Sequence, residues 1–135
     1  MVPVYQTMTV ANDGEGNCFN ACIASILELP LRDVALIHPK HPDYWQAWDD
    51  WFAGRGQKIE FRVLNERRSL PKGYCIVSGR SSRLYPEGHA KAGERIHHAC
   101  VAFDGVVVHD PFPLPGEFGE ISAFFTISQI SLSQL

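Results

Sequence analysis

The order of elements along this chain predicts one α+β domain, with N-terminal helices packed on a small antiparallel sheet. Three observations predict it. Between Cys18 and Phe52 the apolar residues recur at helical spacing. Beyond Gly56 they fall instead into short runs rich in Val, Ile and Phe, the signature of strands. The chain of 135 residues, 45% hydrophobic and 20% charged, shows no repeat and no break in composition, as expected of one domain, residues 1–135, around one core.

Residues 2–10 are mildly apolar with Pro3 near their start, which reads as an edge strand. Gly14 and Gly16 then allow a tight or left-handed backbone. From Cys18, the residues Cys22, Ile23, Ile26 and Leu27 follow a helical period, and Pro30 ends that helix at Glu28 or Leu29. Residues 31–36 suit a further short turn of helix. The breaker His38-Pro39-Lys40-His41-Pro42 leads into a second helix at 43–52, with Asp43 as cap or first-turn acid and Gly54 and Gly56 as the stop. Trp45, Trp48 and Phe52 share one face of it. That face predicts a helix clamped onto the core, with a part in a ligand groove as the rival reading.

Residues 59–64, 74–78, 96–103 and 106–109 read as strands. Between the second and third lies GRSSRLYPEGHAKAGE, residues 79–94, whose glycine and charge read as a loop. Asp104-Gly105 between apolar runs signals a hairpin. The last apolar stretch, 121–130, closes the sheet or covers it.

Composition excludes several classes. The 12 basic and 15 acidic residues give a formal charge of -3 without a block of either sign, and Arg67, Arg68, Arg80 and Arg83 are too scattered for a phosphate-binding stripe. No nucleic-acid partner is expected. MVPVYQTMTV lacks the basic and long apolar regions of a signal peptide, and no run approaches the roughly 18 apolar residues of a membrane span. The expectation is therefore a cytoplasmic, reducing setting without membrane insertion. There the four cysteines, Cys18, Cys22, Cys75 and Cys100, need no disulfides, and their spacing lacks the short pairs of a structural zinc site. Neither a metal nor a cofactor is implied.

Cys18 stands where NDGEGN gives way to the apolar helix. A helix N-terminus carries unpaired N–H groups and partial positive charge, which favour a thiolate and can receive a developing oxyanion. The joint suits a nucleophile; the rival reading is a small buried residue opening a core helix. Cys22, one turn on, reads as core. A thiol nucleophile needs a base, and the base gains from an acid that fixes its ring. His97 and His98 open one strand, and Asp110 follows the next, held by Pro111. A two-residue hairpin would set Ala99 opposite Asp110 and put His97 on the face of Asp110; one bulge residue would give that face to His98. Residue counting leaves both histidines open.

The glycine-preceded Cys18 with Ala21 and Ala24 on an apolar helix, then HHACVAFDG, then VVVHDP, resembles the papain-like cysteine peptidase superfamily in its compact bacterial forms. The pattern is similar to the peptidase domains of bacteriocin-exporting transporters. It looks closer still to small uncharacterised bacterial and phage proteins that begin with a PVYQT-like segment. DGEGNC is also similar to the nucleophile loop of ovarian-tumour-type deubiquitinases, another branch of that superfamily. The resemblance implies a papain-like fold, with Cys18 as nucleophile, His98 as general base and Asp110 as orienting acid. It further implies an upstream glutamine that donates to the oxyanion. Gln6 is the only glutamine before Cys18, though farther away than the usual spacing; Asn12 is nearer that spacing and Asn17 adjoins the cysteine.

The expected activity is that of a thiol hydrolase, a cysteine peptidase or isopeptidase acting on a peptide or protein substrate through an acyl-enzyme. The alternatives are a non-catalytic papain-like binding module and an acyl or amide transferase using the same three residues. The sequence leaves substrate and oligomeric state open.

Overall fold

The computed structural model describes residues 1–10, 16–65, 68–113 and 118–130. Helices α1 (Cys18–Leu27) and α2 (Tyr44–Ala53), separated by a 3-10 turn at Leu31–Asp33, precede the five strands. These are β1 (Gln57–Val63), β2 (Tyr74–Leu84), β3 (Arg95–Phe103), β4 (Val106–His109) and β5 (Phe118–Gln129). They form one sheet in the order β1-β5-β2-β3-β4, with every neighbouring pair antiparallel. The α+β class and the N-terminal grouping of helices are as the sequence predicts. β5 neither borders nor covers the sheet: it enters between β1 and β2, where Phe125 pairs with both Phe61 and Ile76.

Side chains alternate across the sheet and divide the core. On one face Ile76, Ala99, Val101 and Phe125 meet Cys22, Ile23 and Ala24 of α1 and Trp48 and Phe52 of α2. The other face carries a smaller cluster of Cys75, Val77, Cys100, Ala102 and Phe124. In α2 the expected aromatic face splits. Trp48 and Phe52 are fully buried, whereas Trp45 is 53% exposed and stacks on Phe125. Asp43 holds the N-cap position but makes no side-chain cap bond. Glu28, at φ 57°, ends α1 two residues before Pro30.

Two expectations are corrected. Residues 2–10 form no strand. Their donors go to α1, its N-cap and the chain after β4: Val4 N–H to Ser25 Oγ (2.9 Å), Gln6 N–H to Pro111 O (2.9 Å), Met8 N–H to Asn17 Oδ1 (2.9 Å). The segment is a lace rather than a ladder. Residues 79–94 are likewise not all loop, since β2 runs on to Leu84 and only the remainder turns, closed by Tyr85 N–H to Glu94 O at 2.8 Å. Gly79 serves close approach, not a turn: a Cβ there would fall 1.7 Å from Glu120 O on β5. A glycine in a strand interior marks such approaches as often as a break.

The Asp104-Gly105 hairpin is present, with φ 50° and 83°, the left-handed pair that matches strand twist. Asp104 also ties the turn to the start of β2, its Oδ1 accepting the Gly73 N–H at 2.7 Å. Among the described residues no helix is long and apolar enough to cross a membrane.

Candidate active site

Cys18 is the first residue of α1, so the N–H groups of its opening turn have no partner within the helix. The N-cap, Asn17, does not use its side chain to cap. Its Oδ1 accepts from Thr7 N–H (3.0 Å) and Met8 N–H, and its Nδ2 donates to Thr7 Oγ1 (3.1 Å). Asn17 thus anchors the N-terminal lace and is turned away from an oxyanion role. Gly16 has no positive φ. Its lack of a Cβ serves packing, because one would lie 3.2 Å from Met8 O and 3.3 Å from Gln6 Nε2. Gly14 and Asn12 lie outside the described residues.

The hairpin decides between the histidines. β3 and β4 pair as Phe103 with Val106 and Ala102 with Val107, then slip, so that Val101 faces His109. Val108 is the extra residue, and the bulge lies inside β4 rather than in its turn. Continuing that register puts Asp110 on the face of Cys100 and His98. His98 Nε2 indeed meets Asp110 Oδ1 at 2.6 Å, and the same oxygen accepts the Phe112 N–H at 2.9 Å. The ring is buried edge-on between Phe112 and Phe118.

The electrostatics follow. Burial opposes a charged imidazole at His98, but the bond to Asp110 and the nearby thiols of Cys100 and Cys18 outweigh it and push the pKa up to about 11. Burial likewise works against a charged Asp110, yet the His98 and Phe112 hydrogen bonds hold its carboxyl below the usual value. His97 differs in every respect: it is exposed, and partial burial with Arg80, Lys91 and His98 nearby lowers its pKa. Cys22 is fully buried below Cys18, and burial raises its thiol well above the ordinary value.

Several hollows meet at Cys18 or adjoin it, among them one of about 370 Å³ beside Asn17, Leu36 and His38. One, of about 380 Å³, is lined by Cys18, Phe19, Tyr44, Trp45, His98 and Phe125 among others. Another, of about 400 Å³, shares Trp45, Phe61 and Phe125 with it and is rimmed by Asp49, Lys58, Glu60 and Arg62. On the opposite side a small cavity of about 60 Å³ holds Gln6, Gly16, Cys18, Arg83 and His98. Gln6 Nε2 donates to Met8 O at 3.0 Å, while its buried Oε1 has no partner among the described residues.

The fold therefore brings Cys18, His98 and Gln6 to one cavity, with Asp110 bonded to His98; His97 lines that cavity too. Sequence reasoning passed over Cys100, whose sulfur lies within 4.8 Å of a His98 ring nitrogen. The signal was its parity: two residues beyond His98, it had to share that face. No family model, curated protein or solved structure matches this chain.

Proposed function

We propose that this chain is a thiol hydrolase of papain-like fold, a cysteine peptidase or isopeptidase that cleaves an amide bond through an acyl-enzyme on Cys18. One observation carries the reading: His98, held to Asp110 at 2.6 Å, lines the same hollow as Cys18 at the start of α1. With Nε2 held by Asp110, Nδ1 is the nitrogen left for Cys18. His98 takes the Cys18 proton as the sulfur attacks the substrate carbonyl carbon. The oxyanion is received in the small cavity by the Cys18 backbone N–H and by the second N–H of the Gln6 amide. His98 then gives its proton to the leaving nitrogen as the C–N bond breaks. Water enters, His98 takes a proton from it, and hydroxide addition to the thioester releases the acid and restores the thiolate. Asp110 orients the ring and offsets its charge throughout.

The acyl side of the substrate has an apolar berth in the hollow of Phe19, Tyr44, Trp45 and Phe125, which opens beside Cys18. Its volume falls in the range that holds a large side chain or a drug-sized group.

The test is intact-mass analysis of protein quenched during incubation with peptide, isopeptide and ester libraries, with and without an amine acceptor. A hydroxylamine-labile adduct on Cys18, turning over to free acid, supports hydrolysis. Product carrying the added amine would assign a transferase. Neither adduct nor product from any library would leave a binding module.

A further inference from the structure

Cys100 has no part in that reaction, yet it is placed with care. It is fully buried, and its sulfur lies within 4.8 Å of a His98 ring nitrogen. His98, Cys100 and Asp110 each present one ligand atom, and these atoms all lie within 4.8 Å of one another. Ligands of a tetrahedral ion with bonds of about 2.0–2.3 Å stand roughly 3.3–3.8 Å apart, so the widest pair closes by up to about 1 Å while His98 Nε2 and Asp110 Oδ1, now 2.6 Å apart, separate to admit the ion. The donor set is one imidazole nitrogen, one sulfur and one carboxylate oxygen. Such a mixture suits Zn²⁺ or Co²⁺, whereas Mg²⁺ and Ca²⁺ demand oxygen. Cys100 as thiolate and Asp110 as carboxylate supply two negative charges, which balance a dication. The Asp110 side chain is 30% exposed and gives the ion a way in. Water completes the fourth position.

We propose that His98, Cys100 and Asp110 form a binding site for one thiophilic divalent cation, and that the bound ion takes His98 away from Cys18. Binding releases the thiol proton of Cys100 and the imidazolium proton of His98, so affinity weakens as pH falls. Amide cleavage then stops while the ion is bound and resumes when a chelator removes it. The donors are present whether or not the protein cleaves anything, so the site stands or falls apart from the proposed hydrolysis.

The test uses reduced full-length protein without substrate, titrated with Zn²⁺ against a chromophoric chelator, and with Co²⁺ followed by its thiolate charge-transfer absorption. Wild type should bind one equivalent. Cys100→Ser and Cys100→Ala, each checked for native circular dichroism, should lose affinity at least about tenfold and lose sulfur-to-cobalt intensity. Cys75→Ser, a buried thiol away from His98, should bind as wild type does. Undiminished affinity in both folded Cys100 variants would overturn the assignment. So would dependence on Cys18 alone, or the absence of binding by wild type. Zinc binding without any amide cleavage would sink only the proposed hydrolysis.

Discussion

The two faces of β3 begin with adjacent histidines and lead to different chemistry. On one, His97 is exposed among cations and its pKa is lowered, and the strand continues through Ala99 and Val101 into the helix-covered core. On the other, His98 is buried, bonded to Asp110 and raised to about 11, with Cys100 next in line. The cause is one residue. Val108 shifts the β4 register and delivers Asp110 to His98 instead of His97. Burial by itself would have lowered both histidines; a hydrogen-bonded carboxylate reverses the sign for one of them.

Removing that residue is the strongest way to break the contrast. Deleting Val108 should return Asp110 to the face of His97 and lower kcat/KM by on the order of 10⁴-fold, the cost of losing an orienting acid. The thermal midpoint should fall as well, because the part-buried His98–Asp110 bond is lost with the register. Activity within tenfold of wild type would show that the bulge does not set the pair.

The core face should answer in stability rather than chemistry. Trp48→Ala empties a fully buried site in the cluster of Ala99 and Val101 and should cost about 3–5 kcal/mol in urea unfolding. The protein that remains folded should keep its pH–rate profile. Trp45→Ala, on the same helix but half exposed, should leave unfolding within about 0.5 kcal/mol of wild type and raise KM for an apolar substrate about tenfold. Equal loss of stability from both tryptophans would remove the groove from the account.

The last effect is in the pH dependence of stability. His98 titrates near 11 when folded against 6.5 unperturbed, so its contribution is whole below about pH 6.5 and is lost as pH rises toward about 11. Asp110, held below 3.8, contributes above that value and loses its contribution as pH falls. Between about pH 6.5 and 8.5, before unfolded-chain thiols ionise, wild type should lose stability with rising pH. Asp110→Asn should flatten that slope, as measured by urea midpoints across the window. An equal slope in both proteins would detach the raised His98 value from Asp110.

How much of this was legible follows the range of the interaction. The Cys18 joint, both helices and the Asp104-Gly105 turn are local, and each was readable from spacing and turn chemistry. β2 beyond Ser78 was not. Gly79 and Ser81 look like loop residues, and only the approach of Glu120 on β5, about forty residues later, shows why a glycine stands in a strand. Residues 2–10 misled for the converse reason: a strand-like composition whose donors are taken by Ser25, Asn17 and Pro111. At the site, parity alone could not choose between His97 and His98, since a bulge at Val108 leaves no mark in Val106-Val107-Val108. Gln6 reaches the cavity beside Cys18 because the lace carries it there, which residue spacing did not reveal.

The central claim is that His98, and not its neighbour, holds the proton for Cys18. Its most direct test is the rate of iodoacetamide alkylation of Cys18 against pH in wild type, His97→Ala and His98→Ala, with the modified residue assigned by peptide mass. Cys22, Cys75 and Cys100 are buried, so the fast phase reports Cys18. The account predicts that wild type and His97→Ala keep rapid alkylation at low pH, whereas in His98→Ala it survives only where an ordinary thiol ionises. Retention of the low-pH reactivity in His98→Ala, with its loss in His97→Ala, would contradict it.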